Sequence, residues 1–133
     1  MRNIDTIFIH CADTPANMDI GVVEIKQWHT VERGWSDIGY HYVIRRDGTV
    51  EEGRPEEVAG AGVKGHNKNS IHVCLVGGKP DANFTMAQYR SMNGLCEQLE
   101  TKYPGVEIMG HRDAPGVTKT CPNFDVKSLL KFR

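Results

Sequence analysis

The sequence predicts a mixed α/β fold, a central sheet with helices packed on its faces. Three observations carry that expectation. Apolar runs of strand length stand at Ile7-Phe8-Ile9, Ile71 to Val76 and Val106 to Met109. Thr85 to Lys102 has helical spacing with a start signal. Asp47-Gly48, between two β-prone segments, marks a hairpin.

Taken in order, Asp5 to His10 makes the first strand. Asp19 to Glu32 follows as a helix, with Val22, Ile25 and either Trp28 or His29 on its inner stripe, and Gly34 ends it. Tyr40 to Arg46 and Thr49 to Glu52 pair as antiparallel strands across a type I′ turn at Asp47-Gly48. Arg54 to Asn69 lacks any period and reads as a long surface loop, a kind of segment that is usually functional. Ile71 to Val76 is a buried strand closed by Gly77-Gly78. The helix from Thr85 opens with a capping box, Thr85 with Gln88. Its apolar stripe is Met86, Tyr89, Met92, Leu95 or Cys96, and Leu99, which core packing explains without chemistry. Pro104-Gly105 stops it, Val106 to Met109 returns as a strand leading to His111, and Asp125 caps a short helix through Leu130.

The 133 residues are expected to form one catalytic domain, 1–133, large enough to bury a core unaided. Lys and Arg (16) nearly balance Asp and Glu (17), so no basic field points to nucleic acid. The amino-terminal segment has neither the apolar core nor the cleavage site of a signal peptide, and no stretch is apolar enough to span a bilayer. The expectation is a monomer made in a cytoplasm, without membrane insertion. Cys11, Cys74 and Cys96 lie inside apolar patterns, as reduced core thiols do.

His10, His111 and Cys121 are the candidate metal ligands. Zinc favours imidazole nitrogen and thiolate sulfur, and a catalytic zinc takes three protein ligands with its fourth position open. His10 closes an apolar strand, His111 follows another, and Cys121 sits in a loop stiffened by Pro115, Gly116 and Pro122. Cys11 should point away from the metal, because successive strand residues face opposite sides.

The surrounding wording is more specific than the spacing. IHCADTP, GYHYVIRRDGTVEEGR, GHNKNSIHVCLVGG and GHRD…KTCPNFD occur in this order from about Ile4 to about Asp125. Together they resemble the zinc-dependent N-acetylmuramoyl-L-alanine amidases of the phage-lysozyme type, relatives of the peptidoglycan-recognition proteins. The resemblance implies an α/β amidase fold, Zn2+ on His10, His111 and Cys121, and two further catalytic residues, Tyr40 and Lys119. Lys119, two residues before Cys121, would supply positive charge for an oxyanion. Tyr40 would hydrogen-bond the attacking water or the tetrahedral intermediate. Tyr42, expected on the same strand face, is the rival to Tyr40.

The remaining histidines are weaker candidates. His41 should have a buried structural role, His29 should lie at the core edge or surface, and His66 could border a substrate groove. His72 stands where the family usually has a small residue, often glycine, and is expected to be solvated or groove-lining; a second metal site with Cys74 is conceivable. Asp13 or Asp113 could hold the far nitrogen of a ligating histidine.

The function implied is hydrolysis of the amide between N-acetylmuramic acid and L-alanine in peptidoglycan or muropeptides, by a phage or prophage endolysin that reaches the wall after release. A non-catalytic peptidoglycan-binding module is the alternative, but such relatives typically lack the cysteine that this chain keeps at 121. A second alternative is an amidase that also regulates its phage's RNA polymerase.

Overall fold

The computed structural model describes residues 2–116 and 121–127. Five strands form a sheet of order β3-β2-β4-β1-β5. They are β1 (Thr6–Cys11), β2 (Tyr42–Ile44), β3 (Val50–Glu52), β4 (Ser70–Leu75) and β5 (Glu107–Gly110). The β4 and β5 strands run parallel to β1 on its two sides, β2 runs parallel to β4, and the β2–β3 hairpin adds the antiparallel edge. The expected mixed sheet is therefore present.

Alternation along the two central strands divides the labour. Ile7 and Ile9 of β1, with Ile71, Val73 and Leu75 of β4, form one side of the main core. Against them lies α2 (Met86–Lys102), which buries Met92, Leu95, Cys96 and Leu99. The intervening residues Phe8, His10, His72 and Cys74 face the opposite side and are equally buried. Part of that side is covered by α1 (Val22–Gln27), whose Ile25 packs with Ile38, Val43, Cys74 and Val76.

Several boundaries differ from the sequence reading, each for a local reason. The first helix begins at Val22 rather than Asp19: Gly21 is its N-cap, with its N–H donating to Glu24 Oε1 at 2.8 Å, while Asp19 pairs instead with Arg45 at 3.5 Å. After Gln27 the helix widens into a π-helical turn, Trp28–Glu32. His29 is buried there, and Trp28 packs half-buried on the same core. The hairpin turn is not type I′. Only Gly48 has a positive φ (91°), the Gly48 N–H donates to Arg45 C=O at 2.9 Å, and the Asp47 carboxylate accepts the Thr49 N–H at 2.9 Å. That is a type I turn followed by a left-handed glycine. The Arg54–Asn69 segment has no regular element, but it is not merely a surface loop. Val63 is buried, and the Arg54 guanidinium donates to the carbonyls of Ile38 and Ala59 at 2.8 and 2.7 Å. A helical turn starts at Val126; its expected continuation to Leu130 lies outside the described residues.

The helix α2 is tied to the sheet by Gln88, which does more than close the capping box. Its amide Nε2 donates to Ile44 C=O at 3.1 Å and Val76 C=O at 2.7 Å, and its Oε1 accepts from the Thr85 N–H at 3.0 Å. Gln88 is fully buried, whereas Met86, expected on the inner stripe, is exposed at the first helical position. Gln88→Ala removes one of two donors from each carbonyl, since Ile44 C=O still accepts the Val76 N–H at 3.0 Å and Val76 C=O the Arg46 guanidinium at 3.2 Å, a cost of about 1–2 kcal/mol. The expected result is a lower urea midpoint at unchanged slope. An unshifted midpoint would show that apolar packing alone anchors the helix.

Candidate metal centre

Strand register assembles the candidate ligands. Ile9 of β1 lies opposite Gly110 of β5, so the next residues, His10 and His111, emerge side by side where both parallel strands end. The carboxyl ends of parallel strands are where open α/β sheets hold ligands. Cys121 is brought to the same place by its backbone. Its C=O accepts the Arg112 N–H at 2.8 Å, and Pro122 packs against Gly110 where any added Cβ would come within 2.9 Å. The ligand atoms of His10, His111 and Cys121 all lie within 4.8 Å of one another, the one such group of His, Cys, Asp and Glu among the described residues. Cys11 is outside that group, but it does not point away as alternation predicts: its thiol lies against that of Cys121.

The donor set suits zinc. The Nδ1 atoms of His10 and His111 face each other at 3.2 Å. Two nitrogens bound at 2.0–2.1 Å on a tetrahedral ion stand about 3.3 Å apart. The Cys121 sulfur accepts the Cys11 backbone N–H at 3.0 Å, a contact that favours thiolate. The Cys11 side chain and burial push the Cys121 thiol up, a shift that a cation beside the sulfur would oppose.

Tyr40 lies against this cluster, its ring centroid 5.1 Å from that of His10 and 5.4 Å from that of His29. Burial raises the Tyr40 phenol well above its ordinary range, so it carries its proton and can donate. Tyr42 is not on the same face. The regular strand begins only at Tyr42, so the chain turns between the two residues. Tyr40 packs on the core beneath α1 and Tyr42 on the core beneath α2, where its hydroxyl donates to Glu56. Of the two, it is Tyr40 that neighbours the cluster. Lys119 lies outside the described residues. A cavity of about 250 Å³ shares Tyr40 with the cluster and is lined also by Trp28, His29 and Arg33.

The other histidines are placed as follows. His41 is buried; its Nδ1 accepts the His72 backbone N–H at 3.0 Å and its Nε2 donates to Val58 C=O at 2.8 Å. His29, expected at the core edge or surface, is buried with Nδ1 accepting the Gly39 N–H at 2.9 Å, and burial lowers its pKa to about 4. His66 meets Phe8 edge-on at 6.3 Å. Asp113 accepts the Gly110 N–H at 2.9 Å and so braces the turn that carries His111.

His72 departs most from expectation. It is neither solvated nor groove-lining but wholly buried, with Nδ1 2.9 Å from His10 Nε2. Burial on a central strand holds it neutral, its pKa lowered to about 3. It also joins no second metal group with Cys74 among the described residues. The usable sequence signal was its position: on the central strand, and on the same face as Cys74, which register places opposite His10.

An α/β sheet with a His-His-Cys cluster at its parallel strand ends defines the class of protein. The profile of the family described as N-acetylmuramoyl-L-alanine amidase matches residues 1–124. The endolysin of Enterobacteria phage K11 is 50% identical over 129 residues, 93% of this chain and 83% of that protein. The endolysin of Escherichia phage T7 is 50% identical over 131 residues, 95% of this chain and 85% of that one. Among solved structures, the N-acetylmuramoyl-L-alanine amidase LysC from Clostridium intestinale URNW matches with a TM-score of 0.87 at 29% identity, over 98% of this chain and 85% of that chain. The chain belongs to the N-acetylmuramoyl-L-alanine amidase family.

Proposed function

We propose that this chain is a zinc amidase of the endolysin kind, hydrolysing the bond between N-acetylmuramic acid and L-alanine in peptidoglycan or its muropeptides. The observation that carries the reading is the His10–His111–Cys121 cluster beside Tyr40, in a chain half-identical to phage endolysins. The three side chains would hold the ion at the strand ends. When bound, zinc supplies Lewis-acid polarisation and lowers the pKa of a coordinated water from ~16 towards ~7. Tyr40, protonated and packed on His10, would donate its O–H to the oxygen that gains charge as the amide carbonyl is attacked. Lys119 would add a positive charge to the same oxygen. The recess lined by Trp28 and Arg33 next to Tyr40 would receive the part of the substrate flanking the scissile amide.

No helix among the described residues is long and apolar enough to cross a membrane. Action on the wall would follow release of the protein to it.

The test is product analysis on purified peptidoglycan. Digestion should expose new amino-terminal L-alanine without new reducing sugar ends, and a chelator should abolish it. A glycosidase would need two facing carboxylic acids and would yield reducing ends. Reducing ends, or activity surviving complete metal removal, would overturn the reading.

A further inference from the structure

His72 is wholly buried on β4, and its side chain makes two directed contacts. Its Nδ1 lies 2.9 Å from His10 Nε2, and its Nε2 lies 3.1 Å from Ser70 Oγ. Ser70 Oγ in turn donates to the backbone C=O of His66 at 2.8 Å.

The proton positions along this chain follow from its end. A carbonyl only accepts, so the single hydroxyl proton of Ser70 goes to His66. The Ser70 oxygen then accepts, and the proton it receives is on His72 Nε2. A neutral imidazole carries one N–H, which leaves Nδ1 of His72 as a lone pair. The proton between the two rings therefore belongs to His10 Nε2. That leaves His10 Nδ1 unprotonated, and it is this atom that faces His111 Nδ1 at 3.2 Å.

We propose that His72 is a positioning residue that locks the ring orientation and tautomer of His10, presenting its Nδ1 lone pair to the metal. The inference rests on the reading of His10 as a metal ligand. Outer hydrogen bonds of this kind fix ligating histidines and raise their basicity. Here, at His10, a neutral imidazole does the work more often given to a carboxylate.

The loop above the pair is shaped for it. A Cβ on Gly62 would come within 2.4 Å of His72 Nδ1 and 2.9 Å of His10 Nε2, directly on the inter-ring bond. A Cβ on Gly60 would come within 2.7 Å of His72 Cδ2. Gly62 is fixed over the rings through its N–H, which donates to Asn67 Oδ1 at 3.1 Å. Gly62→Ala is thus a second way to disturb the bond while leaving both imidazoles in the chain.

The experiment compares zinc affinity, by competition with a chromophoric chelator, for the unmodified protein, His72→Leu, His72→Asn and Gly62→Ala. Asn places its amide group near the position of imidazole Nδ1. His72→Leu and Gly62→Ala should each weaken zinc binding by about 10- to 100-fold, and His72→Asn should recover most of that loss. Long-range 1H–15N correlation spectra of the zinc-loaded protein should show His10 and His72 both protonated at Nε2. The proposal is overturned by unchanged affinity in His72→Leu, by an Asn variant as weak as the Leu variant, or by a proton on His10 Nδ1. The tautomer reading needs no variant, so it decides the matter even where a substitution impairs folding. Full zinc retention by His10→Ala would instead overturn the ligand reading itself.

Discussion

Cys121→Ser is expected to leave the protein folded but nearly without zinc, and to cut wall hydrolysis about a thousandfold or more. The serine oxygen can still accept the Cys11 N–H that the sulfur accepts at 3.0 Å, so the local backbone keeps its partner. What is lost is the anionic ligand. Two neutral imidazoles remain, held by strand ends that the substitution does not touch, and a neutral hydroxyl is a poor substitute for thiolate towards zinc. Removing the ion removes several kcal/mol of polarisation at the reacting carbonyl and water, at about 1.4 kcal/mol per tenfold in rate. The measurements are zinc per chain by elemental analysis, circular dichroism for the fold, and release of L-alanine ends from peptidoglycan. One zinc per chain retained by the folded variant would show that Cys121 is not a ligand.

Much of this centre was legible in the sequence because its parts obey local rules. The apolar Ile7-Phe8-Ile9 run marked β1, and His10 emerges where its pairing with β5 stops, one residue before the strand ends at Cys11. Thr85 and Gln88 marked the start of α2 by a pattern that depends only on neighbours in sequence. What escaped depends on partners distant along the chain. The burial of His72 requires β4 to be central and the Gly60–Gly62 backbone to lie flat on its ring, and neither condition is written within β4 itself. Gln88 announced a cap but not its bonds to the ends of β2 and β4. Tyr40 and Tyr42 were placed on one face by strict alternation, which holds only inside a strand, and β2 starts at Tyr42. Asp47-Gly48 correctly announced a hairpin, while the bond from Thr49 N–H to the Asp47 carboxylate accompanies a type I turn instead of type I′. The helix expected from Asp19 starts only at Val22 with Gly21 as its N-cap, while Asp19 pairs with Arg45, a partner remote in sequence.

Tyr40→Phe and Lys119→Ala should each retain zinc and fold yet lose turnover by about 10²–10³, the usual cost of one group that stabilises an oxyanion. For Tyr40 the argument is geometric. The ring packs on His10 and His29 at 5.1 and 5.4 Å, contacts that phenylalanine preserves, so the substitution deletes little besides the hydroxyl. Because burial keeps that phenol protonated, it acts as a donor rather than as an anion, and the loss should appear in kcat more than in KM. For Lys119 the argument is electrostatic: its ammonium is assigned to the same developing charge, which exists only as the carbonyl is attacked, so zinc content and wall binding should survive its removal. The double variant should lose less than the product of the two single losses if both groups serve one oxygen. Elemental analysis, a wall-pelleting assay and steady-state rates on the same muropeptide separate these effects. Unimpaired kcat in Tyr40→Phe would reduce Tyr40 to a packing residue, and zinc loss in Lys119→Ala would move Lys119 from transition-state stabilisation to support of the metal loop.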